Sequence, residues 1–252
     1  MDTSSEERPT PGGVADAEAG DRERIDPQPR RDEYDVSGAR TGEGSRLVPL
    51  GSAEVALALS MAGTPAAAAL IERLGLSAQA ADEGIRAASA SSLAARGLAE
   101  TTPAGRLAAR GAALAVAHLG GGARRIVGLS RIEGERELGP CLLAIADGGV
   151  LILEPGPVRS FLVAAADGAG SAVTALERLV RLHIDGGEGR IAALESRALG
   201  GDSGRPDLDV AIRRADAEAI EVARAAAGGG SHRVASMPDE RLRALLEALA
   251  SA

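Results

Sequence analysis

The chain has 252 residues, enough to bury a sizeable core in one large or two small domains. It contains no Lys, Asn or Trp, and Tyr34 and Phe161 are its only Tyr and Phe, so the core must be built from small aliphatic side chains. Of the net charge of −8, residues 1–45 carry −6. The nearly neutral remainder gives no electrostatic footprint for nucleic acid, although it does not forbid one.

Cysteine usage and hydropathy predict a cytoplasmic location. The single cysteine, Cys141, lies in the apolar run P-C-L-L-A-I-A, which favours a buried, inert thiol in a reducing compartment. The N-terminus is acidic and lacks the apolar stretch of a secretory signal. No apolar run approaches the roughly 18 residues of a membrane span.

Residues 1–45 are rich in Pro, Gly, Ser, Asp, Glu and Arg and contain almost no apolar residues. Such a composition cannot bury enough surface to offset the entropy of ordering. It predicts a disordered acidic tail.

Residues 46–122 form the second predicted segment, a helical subdomain. Ser52 can cap a helix that ends at Gly63, and Thr64-Pro65 supplies a cap and a first-turn proline for a second helix that ends at Gly75. Ser77 begins a third helix, to about Leu98. Thr102-Pro103 begins a fourth, which ends in the triple glycine at 120–122.

Residues 123–252 form the third segment, with a strand predicted at 126–132 and an apolar hairpin. The hairpin arms are 140–146 and 150–155, and Asp-Gly-Gly at 147–149 allows the positive φ of a tight turn. Both arms are almost continuously apolar, which is typical of a sheet covered on both faces.

After the hairpin, a helical stretch is expected from Ser160 to about Leu182, with a possible break at 167–170. Strands are expected at 190–197 and 208–214, followed by a helix that Asp216 caps. An amphipathic helix closes the chain, beginning with M-P-D-E-R-L. The predicted fold class is therefore α+β: a helical, winged-helix-like N-terminal half, followed by a mixed sheet with an apolar hairpin and covering helices.

Residue types that carry chemistry are few. His118, His183 and His232 lie in different elements without metal-ligand partners at i+3 or i+4, and no catalytic motif is present. The D-G-A-G-S stretch at 167–171 favours a helix break capped by Ser171 over a phosphate loop. The glycine runs at 120–122 and 228–230 favour linkers. We therefore expect a non-enzymatic protein with no cofactor, metal or catalytic residue.

The stretch Leu93–Gly111 allows a winged-helix interpretation, in which 75–77 is the turn, 77–98 the recognition helix and 99–105 a short wing. The phrase R-G-L-A-E-T-T-P-A-G-R-L resembles bacterial winged-helix regulators of the MarR type. The candidate recognition helix, however, opens with two acids, one Arg and small residues at 79–92, and so offers few groups to read DNA. A DNA-binding regulator is the alternative function.

Over residues 47–225, the order of elements resembles the EspG family of ESX (type VII) secretion-associated proteins. The resemblance rests on the L-x-x-R-G-L-A phrase at Leu93–Ala99, a helix at Arg106–Leu119 leading into a strand, and the hairpin C-L-L-A-I-A-D-G-G-V-L-I-L-E-P followed by F-L-V-A-A-A. It implies a cytoplasmic chaperone that captures an apolar, helical PE–PPE-like partner for export. It assigns no contact residues, and we expect the apolar hairpin at 141–154 to take part.

Overall fold

The computed structural model describes residues 47–168, 170–199, 208–224 and 233–251. The predicted tail at 1–45, the glycine run at 228–230 and His232 lie outside these residues. The described chain is a mixed α+β fold with one large antiparallel sheet.

The first part of the chain is helical after a short strand, and its caps largely follow the sequence. Gly63 ends the first helix in the left-handed region, and the Thr64 side chain accepts a hydrogen bond from the Ala67 N–H to begin the second. Asp82 divides the predicted third helix in two, because its side chain caps a new helix by accepting from the Ile85 N–H. These elements are β1 (Val48–Gly51), α1 (Ser52–Ala62), α2 (Pro65–Arg73), α3 (Ser77–Ala81) and α4 (Glu83–Ala95).

The predicted fourth helix is wrong in its first half, where a small hairpin forms. Strands β2 (Ala99–Thr101) and β3 (Leu107–Ala109) pair antiparallel. The Thr102 N–H donates to the Arg106 carbonyl, and Gly105 has a φ of +73°, which selects a turn over a helix. Helix α5 (Gly111–Ala115) follows and runs into a π-helical turn, Val116–Gly120.

The main sheet has nine strands in the order β1-β7-β6-β5-β4-β8-β9-β10-β11. Every neighbouring pair is antiparallel, so the expected mixed sheet is wrong. The helix at Ser171–Ile184 carries the chain from β7 past three strands to β8, which pairs antiparallel with β4. The elements are β4 (Ala123–Glu133), β5 (Arg136–Ala146), β6 (Gly149–Gly156), β7 (Ser160–Asp167), α6 (Ser171–Ile184), β8 (Arg190–Ala198), β9 (Leu208–Arg214), β10 (Ala219–Arg224), β11 (Arg233–Pro238) and α7 (Leu242–Ser251).

The strand order reveals an internal two-fold arrangement. Strands β4 to β7 form one meander followed by α6, and strands β8 to β11 form a second meander followed by α7. The two meanders meet where β4 pairs antiparallel with β8, so the order 7-6-5-4 is mirrored by 8-9-10-11. Strand β1 breaks the symmetry, because it adds a ninth strand beside β7.

Both faces of the first meander are covered, as the continuous apolar runs of its strands predict. On one face, Leu143 and Ile152 pack into a core with α6 and α7. On the other face, Ala144 and Leu151 pack into a second core with α1, α2, α4 and α5. The apolar hairpin is therefore the centre of the protein.

Two segments expected to be helical are strands. Residues 160–167 pair along their whole length with β6, and a short apolar run of this kind fits a buried strand as well as a helix. The Asp216 side chain accepts hydrogen bonds from the N–H groups of Glu218 and Ala219. It therefore closes a turn before β10 instead of capping a helix.

The glycine run at 120–122 is a packing feature, in contrast to the expected linker. A Cβ on Gly120 would lie 2.6 Å from Leu59, and one on Gly121 would lie 2.5 Å from Ala62. Only glycine lets this turn approach α1 so closely.

Residues 47–122 contribute β1 to the sheet and cover one of its faces, so they share one core with the strands that follow. The proposed division at 122 into subdomains stays a prediction. Within the described ranges, no helix is both long and apolar enough to cross a bilayer.

Candidate functional site

The residues that could carry chemistry are not brought together. His118 is exposed in the π-helical turn, whereas His183 is buried in α6. The His183 Nε2 lies 3.2 Å from both the Ile132 and the Ile191 carbonyl, so it carries the proton and donates to both. Burial lowers the pKa of His183. Across the described residues, no cluster of three His, Cys, Asp or Glu side chains could hold a metal ion.

Cys141 is buried, as predicted. Burial and the charge of Glu154 raise its pKa to about 12, against the opposing effect of Arg131. A thiol of this kind is neither a nucleophile nor a metal ligand at neutral pH.

The D-G-A-G-S stretch lies between β7 and α6, so the expected helix break is wrong, and Ser171 is the first helical residue with Gly170 as the cap. The Ser171 hydroxyl donates to the Gly168 carbonyl at 2.6 Å. It therefore closes the preceding turn instead of capping the helix.

An apolar cleft of about 670 Å³ lies between the sheet and the turn that joins α2 to α3. We call it the sheet cleft. Volumes of this size are typical of binding sites. Its floor comes from β5, β6 and the start of β7, and its wall comes from residues 73–79. The apolar lining residues are Leu74, Leu76, Pro140, Leu142, Leu153, Pro155 and Phe161.

Phe161 is the only Phe of the chain, and it is half-buried in this lining. In a chain with almost no aromatic side chains, its place at the cleft gives this surface the largest apolar side chain available. Sequence reasoning placed Phe161 in a helix and missed the cleft, because the cleft is made by segments that are far apart in sequence.

The polar lining of the sheet cleft is basic, and one buried acceptor in it has no hydrogen-bond donor among the described residues. Arg73 and Arg159 line it, and no acidic side chain does so among the described residues. The Gln79 Oε1 is buried and accepts no hydrogen bond from any described residue. A buried acceptor without a donor costs free energy.

The turn between β6 and β7 forms the rim of the cleft and is strained. Val158 and Arg159 have φ angles of +53° and +51°, which are unusual for residues other than glycine. The Ser52 N–H donates to the Arg159 carbonyl at 2.9 Å and thereby fixes the turn to the start of α1. Val158 is left 96% exposed. Such strain is often found beside binding sites.

A second cavity of about 410 Å³ adjoins the sheet cleft, since Arg73 and Gly128 line both. Gly128 lies on β4 and has an ordinary φ, and a Cβ built there would have no neighbour closer than 4.0 Å. A larger residue at 128 can therefore fill the space without displacing the fold.

The fold and the cleft thus define an α+β protein with a nine-stranded antiparallel sheet and an apolar cleft with a basic edge. No protein-family model matches the chain, and no curated protein matches it either.

Proposed function

We propose that the chain is a non-enzymatic cytoplasmic chaperone that captures an apolar helical protein partner. The sheet cleft carries this proposal, because its lining is largely apolar and contains the half-buried Phe161. Helix-in-groove recognition uses apolar side chains at i, i+3 and i+4 as anchors in such a space. The resemblance to EspG-like proteins adds a type VII secretion role and a PE–PPE-like partner.

The capture surface that we propose is the sheet cleft and not the apolar hairpin. The expected surface was the apolar hairpin at 141–154, but helices cover both of its faces. The cleft lies at the ends of the same strands, where the half-buried Phe161 and the buried side chains of Leu142 and Leu153 line it.

The elements on which the resemblance rests are present only in part. The R-G-L-A phrase ends α4 and leads into β2, and the strand and hairpin follow as β4, β5 and β6. F-L-V-A-A-A, in contrast, forms β7 and not a helix. The chaperone proposal therefore depends on the cleft more than on the element order.

The experiment is co-expression of the full chain with candidate PE–PPE-like pairs, followed by affinity purification. Phe161→Glu places a charge in the apolar floor, and Gly128→Val narrows the space between the two cavities. Ala223→Val is the matched control, since it adds a β-branched side chain to β10, three strands from β4. We expect the control to retain a stoichiometric partner and both cleft variants to lose it.

A winged-helix regulator is the second candidate, favoured by the order of four helices followed by the β2–β3 hairpin. Asp82 and Glu83 open α4, which places negative charge where DNA phosphate would approach. Titration with random duplex DNA at 50 and 200 mM salt tests it. Submicromolar affinity that falls steeply with salt would favour this candidate over the chaperone.

A further inference from the structure

The two edges of the main sheet are not equivalent. Within the internal two-fold arrangement, β11 corresponds to β7, the outer strand of the first meander. The edge of β7 is occupied by β1, with Val48 opposite Val163 and Gly51 opposite Ser160. No strand occupies the corresponding edge of β11 in the described part of the chain.

The two outer strands also differ in how well they resist further pairing. Strand β1 has four residues, one of them Pro49, and short strands with proline are typical of protected edges. Strand β11 has six residues, and the four at 234–237 are Val, Ala, Ser and Met. The charge and the proline of β11 are confined to its two ends, at Arg233 and Pro238, and Val234 is 61% exposed.

We propose that β11 pairs antiparallel with β11 of a second copy of this chain. The protein already joins its two meanders in this way, through the antiparallel pairing of β4 with β8. A β11–β11 contact would be the same kind of two-fold junction, made by the last strands of the second meanders. A self-complementary two-fold contact is also the commonest route to a dimer.

The sequence of β11 fits its own copy. When Ser236 lies opposite Ser236 of the second copy, Ala235 lies opposite Met237 of that copy, and Val234 lies opposite its Pro238. All three pairs are uncharged, so no like charges face one another across the junction. The exposed Val234 gains an apolar neighbour from the second copy.

A site-specific disulfide tests the pairing in the full chain. Residues directly opposite in an antiparallel pair have Cβ atoms about 4.5–5.5 Å apart, near the range that a disulfide spans. Ser236→Cys should therefore form an intermolecular disulfide under mild oxidation. Cys141 is buried and does not compete. Asp209→Cys, exposed on β9, is the matched control for random collision.

Light scattering of the wild type and of Ser236→Lys completes the test. We expect the wild type to have about twice the chain mass of 25.3 kDa, and Ser236→Lys to be monomeric with an unchanged far-UV circular dichroism spectrum. Cross-linking at 236 should be at least tenfold faster than at 209. A monomeric wild type, equal cross-linking at both positions, or a dimer that survives Ser236→Lys would each overturn the proposal.

Discussion

The guanidinium of Arg96 lies 2.6 Å from the carboxylate of Glu54, a side chain that is buried at the start of α1. The same carboxylate accepts hydrogen bonds from the Gly51 N–H and the Ser92 hydroxyl. Arg96 also donates to the Pro49 carbonyl. The arginine of the R-G-L-A phrase therefore connects the end of α4 with α1 and β1, and its guanidinium faces the buried Glu54 carboxylate.

Arg96→Ala should destabilise the fold, because it leaves the Glu54 carboxylate buried with one fewer partner. Charge-assisted hydrogen bonds are worth about 1.5–3 kcal/mol each, and partial exposure of Arg96 favours the lower part of that range. Urea denaturation measures the change. Arg96→Ala/Glu54→Gln is the control and should recover part of the loss, since a neutral amide needs no cation. Equal losses in the single and double variants would show that the ion pair is not the cause.

A second ion pair, between Arg131 and Glu154, lies in the core at 2.7 Å, with both side chains about 10% exposed. Glu154→Leu should cost about 3–5 kcal/mol of unfolding free energy, because it removes the carboxylate that partly compensates the buried charge of Arg131. Arg131→Met/Glu154→Leu should be markedly more stable than the single variant. Chemical denaturation of both variants provides the comparison. A single variant as stable as the wild type would contradict the burial of this pair.

His183 should make stability pH-dependent. Burial, together with the charges of Arg190 and Arg131, lowers its pKa from the ordinary value of 6.5, against a raising effect of its hydrogen bond to Ile132 and the charge of Glu133. Its contribution to stability is thus fully present above pH 6.5 and is lost as the pH falls, since the unfolded chain takes up the proton first. Denaturation midpoints measured between pH 8 and 5 test this for the wild type and His183→Gln. His118→Gln, at an exposed histidine, is the control. A steep loss of stability at low pH that persists in His183→Gln would show that other titratable groups cause it.

Cys141 should be unreactive in the native protein. With a pKa of about 12, its thiolate fraction at pH 8 is on the order of 10⁻⁴. A thiol reagent should therefore label the chain only after denaturant is added. Rapid labelling of the native protein would mean that β5 opens readily or that Cys141 is not buried.

Short sequence patterns correctly predicted helix ends and a hairpin turn, because these features depend mainly on residues that are neighbours in sequence. Thr64-Pro65 began α2, Gly63 ended α1, and Asp-Gly-Gly at 147–149 joined the two arms of the hairpin. Gly149 is needed there because a side chain would clash with the carbonyl of Ala166 on β7.

The sequence predictions were wrong where the local sequence allows two structures and pairing with a neighbouring strand selects one of them. The apolar residues at 160–167 suit a helix or a strand, and only the partners β6 and β1 select the strand. Asp216 can cap a helix or close a turn, and β10 selects the turn. The sheet cleft joins residues from positions 52 to 161, so no local pattern indicates it.

The most direct test of the chaperone proposal is the dissociation constant of a purified helical partner for the wild type, Gly128→Val and Ala223→Val. If the partner occupies the sheet cleft, Gly128→Val should weaken binding at least tenfold, about 1.4 kcal/mol, while Ala223→Val should stay within twofold of the wild type. Equal affinity for all three proteins would contradict the cleft as the binding site.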